Sequence, residues 1–378
     1  MSTSDIWDVV IVGAGPAGAL AACLVARAGR SVLLLDRAAW PRSKVCGNVI
    51  NGNAFANLRA ANLAHVLDGA VRCDRFLLAV AGKFASIPLN GSHVLSREAL
   101  DARLVRQAVD AGAIFRPATA ARLDEANTNC SWRSLALAGD THERAYARVV
   151  IAADGLAGGL LSDEATTTAS VDSNSRIGAG TIVDCPADLY STGTITMAVS
   201  RAGYVGLTRL EDGRLAIAAA LDAAQVRRDH GLAKCVQAVI AAAGLPSLAS
   251  LAFAIWKGTP QLTRCLARQS AYRAFAIGDA AGYIEPFTGE GIAWALASAR
   301  LVAPIALAGV EGWHDRLVDQ WTIAYRASVG RRQWLCRLLA WGLRRPRLVA
   351  AAAALGRAAP SAFAPIVRAI DRPTLLPA

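Results

Sequence analysis

The patterned part of the chain begins with a run from Ile6 to Val12, apolar but for Asp8. A glycine-rich turn, a stretch with helical apolar spacing and a second run from Ser31 to Leu35 follow. Short apolar runs bounded by turn residues predict buried strands, and the stretch between them predicts a helix. Further helices are predicted near Asn53 to Leu63 and over LSREALDARLVRQAVDAGAIF, where Leu100, Leu104, Val105 and Ala108 share a face. Ser96 stands at the N-cap of the second, but Ala99 replaces the acid that would complete a capping box. Val149 to Ala153 predicts a buried strand ending in Asp154-Gly155. Between residues 171 and 222 the period shifts to two, in GAGTIVDC, TGTITMAV, GYVGLTRL and GRLAIAAAL, which predicts an antiparallel meander. Residues 222–243 read as helical, AYRAFAIGDA as a strand and the alanine-rich segment 349–359 as a helix. The run from Ile292 to Val310 contains Arg300 and Pro304. A spanning helix needs about 20 clean apolar residues, so this run predicts a buried helix that bends or ends near the proline.

At 378 residues, 54% of them hydrophobic and 18% charged, the chain suffices for a large core and two subdomains. Met1 to Asp8 lacks the basic start of a secretory leader, and none of the eight cysteines forms a C-x-x-C pair. These features predict reduced thiols, a cytoplasmic location and no bound metal. Charge does change the picture. From Tyr325 onward there are ten arginines and one aspartate, so this tail carries nine of the net eleven positive charges. Within it, RRQWLCRLLAWGLRRP places Trp334, Leu335, Leu338, Leu339 and Trp341 between arginines. Such a segment suits a membrane surface or an acidic protein partner. Packing of the apolar side on the core is the favoured alternative, because apolar stripes usually face cores. Basic and aromatic residues do not alternate along a groove-like stretch, so nucleic acid is not expected.

Three glycine-bearing bends carry the candidate chemistry. The first is G-A-G-P-A-G, with Gly13, Gly15 and Gly18 between the first strand and helix and Asp36 ending the second strand. Gly13 permits the tight turn, Gly15 lets the backbone approach a pyrophosphate and Gly18 lets helix pack on strand. Asp36 stands where an acid would take ribose hydroxyls. The second is Ala153-Asp154-Gly155, and the third is GDAAGYIEPFTGEGI, residues 278–292.

Together with LSREALDARL at 95–104, these motifs resemble the FAD-dependent superfamily of aromatic hydroxylases, geranylgeranyl reductases and flavin halogenases. Gly282, standing where many hydroxylases have histidine, and Cys46-Gly47 after Lys44 resemble the geranylgeranyl-reductase-like branch most. The resemblance implies an α/β fold: a Rossmann-like FAD-binding domain of the glutathione-reductase type, an inserted antiparallel β-sheet substrate domain and C-terminal helices. The FAD-binding parts are expected at 1–70, 96–165 and 266–310. Substrate-domain strands are expected at 71–95, the substrate-binding β-sheet at 166–265 and a helical basic region at 311–378. Gly13, Gly15, Pro16, Ala17, Gly18, Asp36 and Arg37 would serve the ADP half of FAD. Lys44, Cys46 and Gly47 would lie beside the flavin, and Arg97, Asp154 and Gly155 near the pyrophosphate. Gly278, Asp279 and Ala280 would meet the ribityl chain and Pro286 one flavin face. Gly289, Gly291 and Ile292 would open a helix whose positive N-terminal end stabilises charge on the ring.

Cys46, Asn48 and Glu290 are the candidate catalytic residues. Each has a plainer reading, as a small turn residue, as turn chemistry and as a dipole complement. The implied activity is NAD(P)H-dependent hydroxylation of a hydrophobic, phenolic or polyketide-like molecule through a flavin C4a-hydroperoxide, with the nicotinamide visiting transiently. Reduction of isoprenoid carbon–carbon double bonds and modification of a protein- or carrier-bound substrate are the alternatives, with halogenation ranked below hydroxylation and double-bond reduction. The basic tail leaves a membrane-peripheral location open.

Overall fold

A computed structural model describes residues 6–138, 143–162, 169–285, 287 and 289–374. Its chain starts with β1 (Ile6–Val12), α1 (Pro16–Arg27) and β2 (Val32–Leu35), followed by β3 (Val49–Ile50) and α2 (Gly52–Ala60). A long hairpin, β4 (Val71–Val80) and β5 (Lys83–Val94), leads to α3 (Arg97–Asp110). Next come β6 (Ile114–Arg116), β7 (Ala120–Leu123), β8 (Arg133–Ala138) and β9 (Glu143–Ala152). Ser96 caps α3 as its spacing predicts, its hydroxyl accepting from Ala99 N–H.

The short β10 (Ala169–Val171) precedes β11 (Ile177–Val183), β12 (Thr194–Ser200), β13 (Gly203–Arg209) and β14 (Leu215–Leu221). Two helices, α4 (Ala223–Arg228) and α5 (Leu232–Ala242), follow. The chain returns through β15 (Lys257–Gln261), β16 (Arg264–Leu266), β17 (Ser270–Ala271), β18 (Ala274–Ala276) and β19 (Gly282–Tyr283). Helices finish it: α6 (Gly291–Glu311), α7 (Arg316–Tyr325), α8 (Arg331–Leu343), α9 (Pro346–Ala358) and α10 (Ala364–Asp371).

Two large sheets organise these elements. The first, ordered β17-β18-β9-β1-β2-β6, is parallel from β18 to β6. Its central strands are buried on both faces, as continuous Val-Ile-Leu runs require. The second runs β15-β11-β14-β13-β12-β4-β5-β3. It is antiparallel as its alternating pattern predicts, with one exception: β12 lies parallel to β4. The segment 71–94 therefore completes a sheet whose other half comes from residues 177–261.

Helix α6 differs from its expectation. It runs unbroken through Pro304 to Glu311. The proline ring lies on an exposed position of an otherwise deeply buried helix, so tertiary packing overrides the local cost of a missing N–H. This helix is long and apolar enough to cross a membrane, yet most of its surface is buried in protein.

Candidate functional site

The glycine bends converge because of what each glycine avoids. A Cβ on Gly13 would lie 2.2 Å from the Ala153 carbonyl oxygen, and one on Gly18 would lie 1.9 Å from the Gly13 oxygen. Bare α-carbons at these positions bring the first and second bends together. The third is pinned to them. Gly278, at φ +59°, packs against Ala17, and its N–H donates to Ser298 Oγ of α6 at 2.9 Å. Only backbone in the left-handed region makes that turn without strain when the residue is glycine.

A cavity of about 530 Å³ runs through this meeting point. Its wall includes Gly15, Pro16 and Ala17 at the start of α1, then Arg37, Lys44, Cys46, Gly47 and Arg97. Asp154, Gly155, Gly278 and Asp279 line it from the later bends, and Gly289, Gly291 and Ile292 from the start of α6. Pro286 lies outside the described residues.

Gly15 differs from its two neighbours in the motif. The nearest atoms to a Cβ there are the guanidinium nitrogens of Arg97 and Arg42, at 3.7 and 3.8 Å. Two guanidiniums and the first N–H groups of α1 thus surround a glycine with open space above it, which is how protein binds a pyrophosphate. Arg97 is buried and forks onto Asp101 at 2.9 and 2.8 Å. Burial works against its charge, but Asp101 and Cys46 more than offset it and hold the guanidinium charged. Lys44 opens onto the same cavity. Burial among protein walls, with Arg97 and Arg42 nearby, lowers its amine pKa, while Asp279 opposes that shift. The donor set and the cradle at Gly15 fit an extended dinucleotide cofactor.

Several expected contacts fall elsewhere. Asp36 does not line the cavity. Its carboxylate accepts from Ala14 and Ala38 N–H, both at 3.0 Å, and pairs with Arg42 at 3.0 Å. It fixes the turn and aims Arg42. Gly13, Gly18 and Ala280 also lie behind the wall. The Asp154 carboxylate turns into its own loop, where Leu160 N–H donates to it at 2.9 Å and burial raises its pKa.

The three catalytic candidates separate. Cys46 lines the cavity. Asn48 does not: at φ +58° its amide donates to Cys46 O at 3.2 Å and its Oδ1 accepts from Arg97 N–H at 3.1 Å. It fastens the Cys46-Gly47 turn to α3. Glu290, 2% exposed, points into α8, taking a hydrogen bond from the Cys336 thiol at 3.0 Å and pairing with Arg332 at 3.3 Å. That geometry makes it a tether for the C-terminal helices.

Beyond Cys46 the cavity becomes apolar. The second sheet supplies Phe76, Leu78, Ile87, Leu89, Ile195 and Met197, and the C-terminal helices supply Leu339, Phe363, Ile366 and Val367. Burial raises the pKa values of Tyr204 and Tyr283 on this wall well above 10, so both phenols stay neutral. A buried Arg176–Glu285 pair at 2.8 Å holds the loop after β19 to the second sheet, and Arg176 stacks over Tyr204 at 5.5 Å. Among the described residues that line the cavity at this end, the carboxyl is that of Asp371. Its Oδ1 accepts from Gly52 N–H at 2.9 Å, its Oδ2 is buried without a partner among the described residues, and burial raises its pKa. Sequence reasoning did not reach Arg42, the Arg176–Glu285 pair or Asp371. Arg42 alone has a local signal, six residues after Asp36.

Comparison with known proteins agrees with this arrangement. The chain is 42% identical over 120 residues to a menaquinone reductase of Mycobacterium tuberculosis, a match covering 30% of this chain and 29% of that protein. It is 35% identical over 153 residues to a geranylgeranyl diphosphate reductase of Rhodobacter capsulatus, covering 39% and 37% respectively. Both matches thus span well under half of the relatives' length. The crystal structure of p-nitrophenol 4-monooxygenase from Pseudomonas putida superposes with a TM-score of 0.76 at 18% identity, covering 97% of this chain and 98% of that one. That likeness establishes the shared fold. With residues 7–322 matching the profile described as "FAD binding domain", the chain belongs to that family.

Proposed function

We propose that this FAD-dependent oxidoreductase saturates carbon–carbon double bonds of an apolar, prenyl-like chain, with NAD(P)H as a transient electron source. The observation that carries this reading is the apolar end of the cavity. Aliphatic side chains from β4, β5 and β12 and from α8 and α10 line it, with Asp371 as the carboxyl among the described residues there. Activating a phenol for hydroxylation calls for a base near its oxygen, and the described wall there holds no histidine and two tyrosines kept neutral by burial. A double bond needs a hydride and a proton. FAD, when bound and reduced, supplies the hydride chemistry.

The chain's own residues do the rest. Arg97, Arg42 and the start of α1 hold the pyrophosphate, and the start of α6 sets a positive field at the ring end. The aliphatic wall orients the chain and excludes water. Asp371 would carry its proton on Oδ2, since Oδ1 already accepts from Gly52 N–H, and burial raises the pKa of the carboxyl. The names of the two curated relatives, both reductases, support the same class.

Hydroxylation stays as a second reading because of one observation. Phe287 meets Phe76 and Tyr204 edge-on, with centroids 6.0 and 5.1 Å apart, a surface suited to a planar ring.

The test is anaerobic. The purified flavoprotein is reduced with dithionite and mixed with geranylgeraniol, and the lipid is read by mass spectrometry. A gain of two hydrogens per bond, with the flavin reoxidised, is expected. A lipid left unchanged, with the flavin staying reduced until air is admitted, defeats the reading. An oxygen-bearing product formed from an aromatic substrate in air establishes the second.

A further inference from the structure

Helices α8 and α9 are apolar on two sides. Their inner side is used: Cys336, Val349 and Ala353 are buried against the body of the protein. Their outer side has no partner among the described residues. Trp334, Leu338 and Trp341, spaced four and three residues apart on one stripe of α8, are 62, 50 and 52% exposed. Leu348 and Leu355, two turns apart on α9, and Ile366 on α10 continue the exposed apolar surface. Such large side chains at helical spacing form a patch, unlike scattered surface leucines.

The charge around this patch has one sign. Arg331, Arg337, Arg344, Arg345, Arg347 and Arg357 are all exposed on α8, α9 and the turn between them. The Arg345 guanidinium lies 3.5 Å above the Trp341 ring. The only acid in this part of the chain, Asp371, is turned inward onto Gly52. Two arginines lean on acids from elsewhere, Arg332 on Glu290 and, at 3.9 Å, Arg344 on Glu285. The remaining arginines of this surface have no acidic partner among the described residues.

The patch also adjoins the cavity. Leu339 faces the cavity from the helix that carries Trp334, Leu338 and Trp341 outward. Ile366 both lines the cavity and is 41% exposed.

We infer that the outer face of α8–α10 docks on an anionic phospholipid bilayer, and that an apolar substrate passes from the bilayer into the cavity beside Ile366. The complementarity selects this occupant. Tryptophan and leucine settle at the headgroup–acyl boundary while arginines meet anionic headgroups, and an apolar chain then never crosses bulk water. An acidic protein would match the arginines but leave the aromatic stripe unexplained. The choice of substrate rests on the proposed reductase function; the docking does not.

The test uses the full-length holoprotein with vesicles of phosphatidylcholine alone or with one quarter phosphatidylglycerol. Flotation together with a blue shift of tryptophan emission is expected on the anionic vesicles, at least tenfold stronger than on the neutral ones and weakened by salt. The double variant Trp334→Glu, Leu338→Glu should lose the binding tenfold or more while keeping its FAD content, melting temperature and anaerobic reduction of geranylgeraniol in detergent. Equal binding by the variant overturns the inference. So does failure of the wild type to float, including the case where sedimentation velocity shows the patch instead joining two copies of the chain. If the wild type floats but reduces no lipid, the docking stands and the functional reading falls. If it reduces lipid in detergent but does not float, the reverse holds.

Discussion

Gly15 and Gly18 lie three residues apart, yet substitution at each should fail differently. A side chain at Gly15 meets no protein nearer than 3.7 Å. Gly15→Val should therefore fold but purify without flavin, its branches occupying the place of the pyrophosphate; stoichiometric flavin absorbance in the variant would refute the placement. At Gly18 the added carbon lies 1.9 Å from a backbone oxygen. Gly18→Ala should lose about 1–3 kcal/mol in denaturant titrations, as overpacked sites do. Asp371→Asn keeps an acceptor for Gly52 N–H and removes the proton. Lipid reduction should fall about 100-fold with FAD content unchanged. The sign of its pH dependence follows from the raised pKa. Wild-type reduction should decline as rising pH strips the proton, and the residual rate of the variant should be flat. The same shift means that Asp371 contributes stability below its ordinary value of 3.8, and that this is lost as pH rises through its folded pKa.

Among the elements, α6 invites a change that should help. Pro304 is exposed within an otherwise regular helix. Pro304→Ala restores a hydrogen-bond donor, and a gain of about 1–3 kcal/mol, read as a higher melting temperature, is expected. Glu290→Gln separates a tether from a proton donor, since the amide keeps a hydrogen-bonding shape toward Cys336 and Arg332. Stability should fall by about 1–3 kcal/mol while lipid reduction by the folded fraction persists; abolished turnover at full stability would return Glu290 to the chemistry. These cases show what a sequence carries. Gly13, Gly18 and Gly278 were legible because their constraint is local: a bend of fixed hand between a strand and a helix. The contacts of Asn48 and Glu290 were not legible because their partners, Arg97 and Cys336, lie 49 and 46 residues onward. Asp371 gave no sign at all, since its partner Gly52 is 319 residues away. Alternation located β11 to β14 of the second sheet, but not which face would meet the cavity.

The whole molecule combines a parallel sheet, whose loops would hold the cofactor, with a mixed sheet, whose face lines the apolar end of the cavity. Helices α8–α10 close the space over both and carry most of the net charge outward. The parallel pairing of β12 with β4 has a practical bearing on attempts to retarget such an enzyme. The substrate wall is not one cassette, because its two parts are separated along the chain by α3 and four strands of the other sheet. A chimera that imports residues 177–261 from a relative, while keeping the native hairpin at 71–94, would join foreign and native strands at the middle of the wall. Specificity can be transplanted only by moving both pieces together.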